Sequence, residues 1–252
     1  MSLRDPAARA LACLDLTNLD TDCDAAAVDA LVARAQTPHG PVAAVCIWPA
    51  FVVQARRGLA GTGIRVATVV NFPAGTGPLS ATLGEVERAL GDGADEVDMV
   101  VPWRRLVAGE PAAVTEEVAA VKEICGAATL KTILETGELS EPALIRAAAD
   151  AALAGGADFL KTSTGKVPVN ATPEAAAILL DAIATAGRDV GLKPAGGVRT
   201  TADAAAYLAL CDARMGPGWA GPAHFRIGAS GVLTALLATL DGAEAGPGAG
   251  GY

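Results

Sequence analysis

Short apolar runs separated by amphipathic stretches recur along the whole chain. Eight of these runs suit strands buried on both faces: residues 11–16, 42–47, 65–70, 96–101, 129–134, 158–162, 191–195 and 225–229. Between them, apolar residues return with helical periodicity over 24–35, 83–90, 111–124, 140–154, 172–186, 200–210 and 232–240. Start signals accompany several of these helices: Thr21, Asp22 and Asp24 before the first, Pro111 in a first turn, Ser140 with Glu141-Pro142, and Thr172-Pro173-Glu174. Strand centres follow one another at intervals of about 23 to 34 residues, the length of a βα unit. Eight units predict an α/β fold, a TIM (β/α)8 barrel in a single domain, because eight parallel strands with right-handed crossovers close and leave no edge. A doubly wound open sheet is the alternative, although no G-x-G-x-x-G turn follows the first strand. Residues 1–10 are expected to form a short helix capping the barrel, residues 11–240 the barrel, and residues 241–252, DGAEAGPGAGGY, a flexible tail by composition.

With 52% apolar and only 4% aromatic residues, the core has to be built from Ala, Val, Leu and Ile. A net charge of -9 argues against nucleic-acid and anionic-membrane partners, so any bound anion must meet a local positive patch. The five cysteines are scattered without C-x-x-C spacing, which predicts reduced thiols and a cytoplasmic protein. Arg4, Asp5 and Arg9 precede any apolar run, and no apolar segment reaches the ~18 residues needed to span a bilayer. The two histidines, His39 and His224, each lack a second histidine nearby, which argues against a zinc-dependent mechanism, and chemistry carried by a lysine needs no metal and no organic cofactor.

Active sites of such barrels lie at the C-terminal ends of the strands. There, alternation places Val97, Met99, Leu160 and Leu192 toward the helices and turns Asp98, Lys131, Lys161 and Lys193 inward. A lone lysine in such a place is held by a salt bridge or snorkels outward. Four charged residues on adjacent strands form a polar cluster where a structural barrel would carry Val, Ile and Leu. Asp15, on the first strand, adds a second negative group. Crowded ammonium groups depress one another's pKa. A free lysine near 10.4 is neutral about 0.04% of the time at pH 7, and one shifted to about 7 is half neutral, a gain of roughly a thousandfold. A neutral amine attacks carbonyls and forms a Schiff base. Lys161 and Lys193 lie on neighbouring strands, and spacing alone leaves open which is the nucleophile. Gly196-Gly197-Val198-Arg199-Thr200 and Gly228-Ala229-Ser230-Gly231 follow the last two strands, where this fold holds phosphate, and Thr164-Gly165-Lys166 forms a third side. Taken singly, these glycines also suit tight turns.

The motifs Leu14-Asp15-Leu16-Thr17, Val45-Cys46-Ile47-Trp48-Pro49, Asn71-Phe72-Pro73, GADEVD at 93–98, Leu130-Lys131 through Glu135-Thr136, GADFLKTSTGK at 156–166, LKPAGGVRT at 192–200 and RIGAS at 226–230 occur in one order. Together they resemble the deoxyribose-phosphate aldolase family of class I aldolases over nearly the whole chain. The resemblance implies that Lys161 forms the Schiff base, that Lys193 lowers the pKa of that amine, and that Asp98 moves the proton of the substrate hydroxyl with Lys193 and a water. It implies substrate contacts at Asp15, Thr17, Cys46, Lys131 and Thr162, and phosphate contacts at Gly165, Lys166, Gly196, Gly197, Val198, Arg199, Gly228 and Ser230. The implied reaction is reversible cleavage of 2-deoxy-D-ribose 5-phosphate to acetaldehyde and D-glyceraldehyde 3-phosphate by a homodimer. Another lysine aldolase or a transaldolase, and a sugar-phosphate-binding barrel without catalysis, are the competing readings. Gly231 stands where many relatives have a second serine, and Ala74 where relatives often have histidine after Asn-Phe-Pro. Some members end in a tyrosine that assists enamine protonation, a role implied for Tyr252. Such a tail has to return about 30 Å to the active face, and about eleven residues extend to roughly 36 Å.

Overall fold

The structure, a computed structural model, describes residues 3–243. Eight parallel strands form the barrel: β1 Leu14–Asn18, β2 Ala44–Ile47, β3 Arg65–Val70, β4 Glu96–Val100, β5 Thr129–Ile133, β6 Phe159–Lys161, β7 Gly191–Lys193 and β8 Ile227–Ala229. Each pairs with its sequence neighbour, and β8 pairs with β1. The ring closes between β7 and β8 through the parallel bridges Leu192↔Phe225 and Ala195↔Gly228. No edge is left open, and the open-sheet alternative is excluded.

Flanking helices bury Ala, Val, Leu and Ile against the strands. Three start where side chains satisfy free N–H groups: Asp24 accepts from Ala27, Thr172 from Ala175, and Thr200 forms a capping box with Asp203. Ser140 takes no such part; Glu141 is the residue preceding the helix Pro142–Ala154. At the N-terminus the expected boundary moves. Leu11 and Ala12 belong to the helix Arg4–Ala12, which buries Ala7, Ala10 and Leu11, and β1 starts only at Leu14. The i, i+3, i+4 spacing of those three residues puts them on one helical face, which wins over strand pairing. The hairpin Gln36–Thr37 with Gly40–Pro41 and the short helices Val52–Gly58, Trp103–Val107 and Thr136–Leu139 were not expected. Among the described residues, no helix is long and apolar enough to cross a membrane.

Register decides what faces the lumen. Asp98 lies directly opposite Lys131, and Lys161 directly opposite Lys193. Beside Asp98, whose partner on β3 is Val69, the residues Leu19, Cys46, Ala67 and Val69 form a small apolar cluster with Trp48 and Phe72 packed on it. The Trp48 and Phe72 rings meet edge to face at 5.6 Å.

Candidate active site

Four strands deliver one charged side chain each to a common point, and all four are sealed from solvent. Asp98, Lys131 and Lys193 are fully buried, and Lys161 is 1% exposed. Asp98 is the hub. Its Oδ1 accepts from Lys131 Nζ at 2.8 Å, and its Oδ2 accepts from Lys161 Nζ at 2.8 Å and Lys193 Nζ at 2.7 Å. Asp15 reaches the cluster from β1, with Oδ2 2.5 Å from Lys193 Nζ. The four residues singled out by alternation therefore converge, with Asp15 beside them.

Burial alone would raise the Asp98 carboxyl, but Lys131, Lys161 and Lys193 outweigh it and hold the group well below the usual carboxylate range. The lysines then divide. Burial lowers all three; Asp15 and Asp98 overcome that for Lys193 and hold it well above its ordinary value, and Asp98 with Glu96 overcomes it for Lys131, whose pKa is raised. Lys161 has Asp98 alone among carboxylate partners of the described residues, so burial and the Lys193 charge prevail and its pKa falls. The expectation that crowding depresses both Lys161 and Lys193 is corrected here: Lys193 stays charged, and Lys161 is the amine that loses its proton more easily.

Three participants are absent from the expected set. Glu96 lies buried two residues before Asp98 on the same strand face, and its Oε2 is 2.6 Å from Lys131 Nζ. Period-two alternation from Asp98 points to it. Arg226, just before β8, donates to Asp15 Oδ1 at 2.7 Å and to both Glu96 oxygens at 2.7 and 3.0 Å. Glu135 is buried with a left-handed backbone, φ 58°, and accepts from Thr164 N–H at 3.0 Å and Thr164 Oγ1 at 2.7 Å. It pins the loop after β6; no periodic signal marks a residue in such a turn.

The remaining expected residues fall into two groups. Near the cluster, Cys46 Sγ is 4.0 Å from Asp98 Oδ2, the Thr17 hydroxyl donates to Asp15 O, and Thr162 Oγ1 accepts from Ala195 N–H. Around the rim, Gly165, Gly196 and Gly197 all adopt positive φ, at 81°, 77° and 85°. Nothing lies within 4 Å of a Cβ built on Gly197, so that position opens outward, whereas one on Gly196 would press on Asn170. Gly228 has a different cause. A Cβ there would lie 3.0 Å from Lys193 Cε, and its N–H already donates to Pro194 O, so the glycine makes room for the lysine. Val198 is buried, Lys166 and Arg199 are exposed, and Lys166 Nζ is 3.9 Å from Asp20 Oδ1. Ser230 sits half-buried two residues before the helix Val232–Asp241. Tyr252 and most of the expected tail lie outside the described residues.

Comparisons with known proteins place the chain in a family. The family model described as DeoC/LacD family aldolase matches residues 9–236. A deoxyribose-phosphate aldolase of Agrobacterium fabrum is 53% identical over 251 residues, which cover 99% of this chain and 97% of that protein. Among solved structures, the apo form of a Toxoplasma gondii protein assigned as a deoxyribose-phosphate aldolase superposes with a TM-score of 0.87 at 31% identity, covering 95% of this chain and 97% of the other. A deoxyribose phosphate aldolase from Aeropyrum pernix, described as having a unique tetrameric structure, gives a TM-score of 0.74 at 28% identity over 94% and 92%. The chain belongs to the DeoC/LacD family of aldolases and is an enzyme of the lyase class.

Proposed function

We propose that this aldolase cleaves 2-deoxy-D-ribose 5-phosphate reversibly to acetaldehyde and D-glyceraldehyde 3-phosphate through a Schiff base on Lys161. The observation that carries the reading is the division of the two facing lysines: Lys193 has two carboxylates against it and Lys161 shares one. The neutral Lys161 amine adds to the open-chain aldehyde carbon, and loss of water leaves an iminium that acts as electron sink. Asp98, kept ionised, takes the proton of the hydroxyl on the carbon to be released, with Lys193 and a water in the relay. The carbon–carbon bond then breaks, its electron pair moves into the iminium to give an enamine, and D-glyceraldehyde 3-phosphate departs. Protonation of the enamine carbon and hydrolysis release acetaldehyde and restore Lys161. The proton source at that step is assigned to Tyr252 on the strength of the family resemblance.

The phosphate end is assigned to the loops after β6, β7 and β8, with Gly165, Lys166, Gly197, Val198, Arg199 and Ser230 as its contacts and Gly196 and Gly228 shaping the loops. Substrate contact along the way falls to Asp15, Thr17, Cys46, Lys131 and Thr162. The small cluster of Leu19, Cys46, Ala67 and Val69 leaves a two-carbon enamine a tight apolar wall. A cytoplasmic homodimer belongs to the same proposal, and light scattering on the purified chain reads its assembly. The test of the substrate is a donor panel: acetaldehyde with glyceraldehyde 3-phosphate should yield the deoxypentose phosphate faster than acetone or hydroxyacetone donors yield theirs. A preference for dihydroxyacetone units would instead make the chain a different lysine aldolase or a transaldolase.

A further inference from the structure

The side chains that ion-pair with one another in the lumen carry an odd number of charges, and the further buried carboxyl near Lys161, Glu135, gives its oxygens to Thr164 and has its pKa raised by burial, which favours its neutral form. Asp15, Glu96 and Asp98 are carboxylates; Lys131, Lys161, Lys193 and Arg226 are cations, and all seven are buried. Sealing a net charge inside a protein is costly, so the cluster favours a state in which one cation has lost its proton. An arginine does not give up its proton in a protein, so the neutral group must be a lysine. Contacts decide which one. Lys131 touches Glu96 and Asp98, with Asp15 at 3.7 Å; Lys193 touches Asp15 and Asp98; Lys161 touches the single Asp98 oxygen that already serves Lys193.

We infer that Arg226 is a positioning residue for Lys161: from the floor of the barrel its guanidinium completes three cations against three carboxylates, so that Lys161 is left without a carboxylate of its own. This deepens the proposal that Lys161 is the Schiff-base amine and rests on it. The guanidinium donates to Asp15 Oδ1 at 2.7 Å, to Glu96 Oε1 at 2.7 Å and Oε2 at 3.0 Å, and to Pro222 O at 2.6 Å. Its planar fork ties two carboxylates at once, which an ammonium cannot reproduce in full. On its far side lies a cavity lined by Ala8, Leu11, Pro41 and Arg65, at the end of the barrel away from the glycine loops.

Other titratable groups face these two side chains. Cys46 faces Lys161 and Asp98, and Cys13 faces Arg226; burial pushes both thiols up, Cys13 to about 12, so neither adds a charge near neutral pH. Glu135 faces Lys161 with its oxygens bound to Thr164 and is common to every variant below. Arg226 and Lys161 flank strands two places apart in the ring, about 10 Å at ~4.8 Å per strand. At that distance and an effective dielectric of about 20, one unit charge moves a titration by about one pH unit, a tenfold change in neutral amine.

The test reads Lys161 directly, without turnover. The chain has five lysines, so protein labelled with 13C,15N-lysine gives few Nζ signals, and the Lys161 signal is the one lost in Lys161→Arg. Arg226→Met should raise the Lys161 midpoint by about one pH unit, and Glu96→Gln should lower it by a similar amount. The double variant Arg226→Met with Glu96→Gln restores the count and should return the midpoint to near the unmodified value; Arg226→Lys should keep most of it. An unchanged midpoint in Arg226→Met, or an upward shift in Glu96→Gln, overturns the inference. Should Arg226→Met fail to fold, the direction of the Glu96→Gln shift decides by itself. Imine formation with acetaldehyde is read separately on the same samples: its absence with the predicted shifts intact would overturn the Schiff-base reading and uphold the role of Arg226 in the charge balance.

Discussion

Replacing Lys193 by Met removes the cation that shares an Asp98 oxygen with Lys161 while keeping an unbranched side chain in the lumen. Lys161 and Lys193 reach the same Asp98 oxygen at 2.8 and 2.7 Å, so their nitrogens are at most about 5.5 Å apart, the sum of those distances. At ~5 Å and an effective dielectric of about 20, their repulsion is about 3 kcal/mol, or roughly two pKa units. Loss of Lys193 also frees Asp15 and Asp98 from a cation, and both then favour a protonated Lys161. Each contribution has the same sign: the Lys161 pKa rises, and neutral amine at pH 7 falls about a hundredfold or more. Each of those carboxylates keeps another cation, Arg226 for Asp15 and Lys131 with Lys161 for Asp98, so the lost charged hydrogen bonds should cost about 1.5–3 kcal/mol of stability. The assay is the rate of acetaldehyde attachment to Lys161 under cyanoborohydride, followed by peptide mass across a pH series, with a melting curve to confirm folding. Trapping should slow about a hundredfold at pH 7 and recover as pH rises by two units. A folded Lys193→Met protein that traps acetaldehyde at pH 7 within threefold of the unmodified rate would refute the division of roles between the two lysines.

Three other outcomes follow from the same geometry. Gly228→Ala places a Cβ 3.0 Å from Lys193 Cε and 2.9 Å from Ala195 Cβ, and overpacking of that kind should lower stability by about 1–3 kcal/mol in thermal denaturation; an unchanged melting temperature would show that Lys193 yields freely. Gly197→Ala forces a side chain into φ 85° in a loop assigned to phosphate, so KM for the phosphorylated substrate should rise about tenfold, and a constant KM contradicts that assignment. Asp15, Glu96 and Asp98 all have lowered folded pKa values, so their stabilisation is complete above the ordinary carboxyl value of about 4 and is lost as pH falls through the lowered values. Calorimetry should show the melting temperature dropping steeply below about pH 4, with a shallower drop in Asp98→Asn.

Alternation carried most of the site into view, because strands sealed on both faces have little reason to place Asp98, Lys131, Lys161 and Lys193 at inward positions unless they meet. The same rule extended to Glu96 and to Arg226 would have exposed the floor of the cluster. Both were passed over because each stands at or just before the start of its strand, outside the stretch that ends at the active face. The start of β1 was misplaced for another reason: Leu11-Ala12-Cys13-Leu14 is apolar throughout, and hydrophobicity does not mark where a helix hands over to a strand. The helices Val52–Gly58, Trp103–Val107 and Thr136–Leu139 are too short to show a period. Protonation states were the least legible feature. Sequence spacing makes Lys161 and Lys193 equivalent, and only the oxygens within reach of each nitrogen tell them apart.

The central claim is that Lys161 is the amine that meets the aldehyde. The most direct measurement is reduction of the acetaldehyde complex with borohydride followed by peptide mass mapping of all five lysines. A two-carbon adduct confined to Lys161, and absent from Lys161→Ala, is the predicted result. An adduct on Lys193 with Lys161 unmodified would contradict the account.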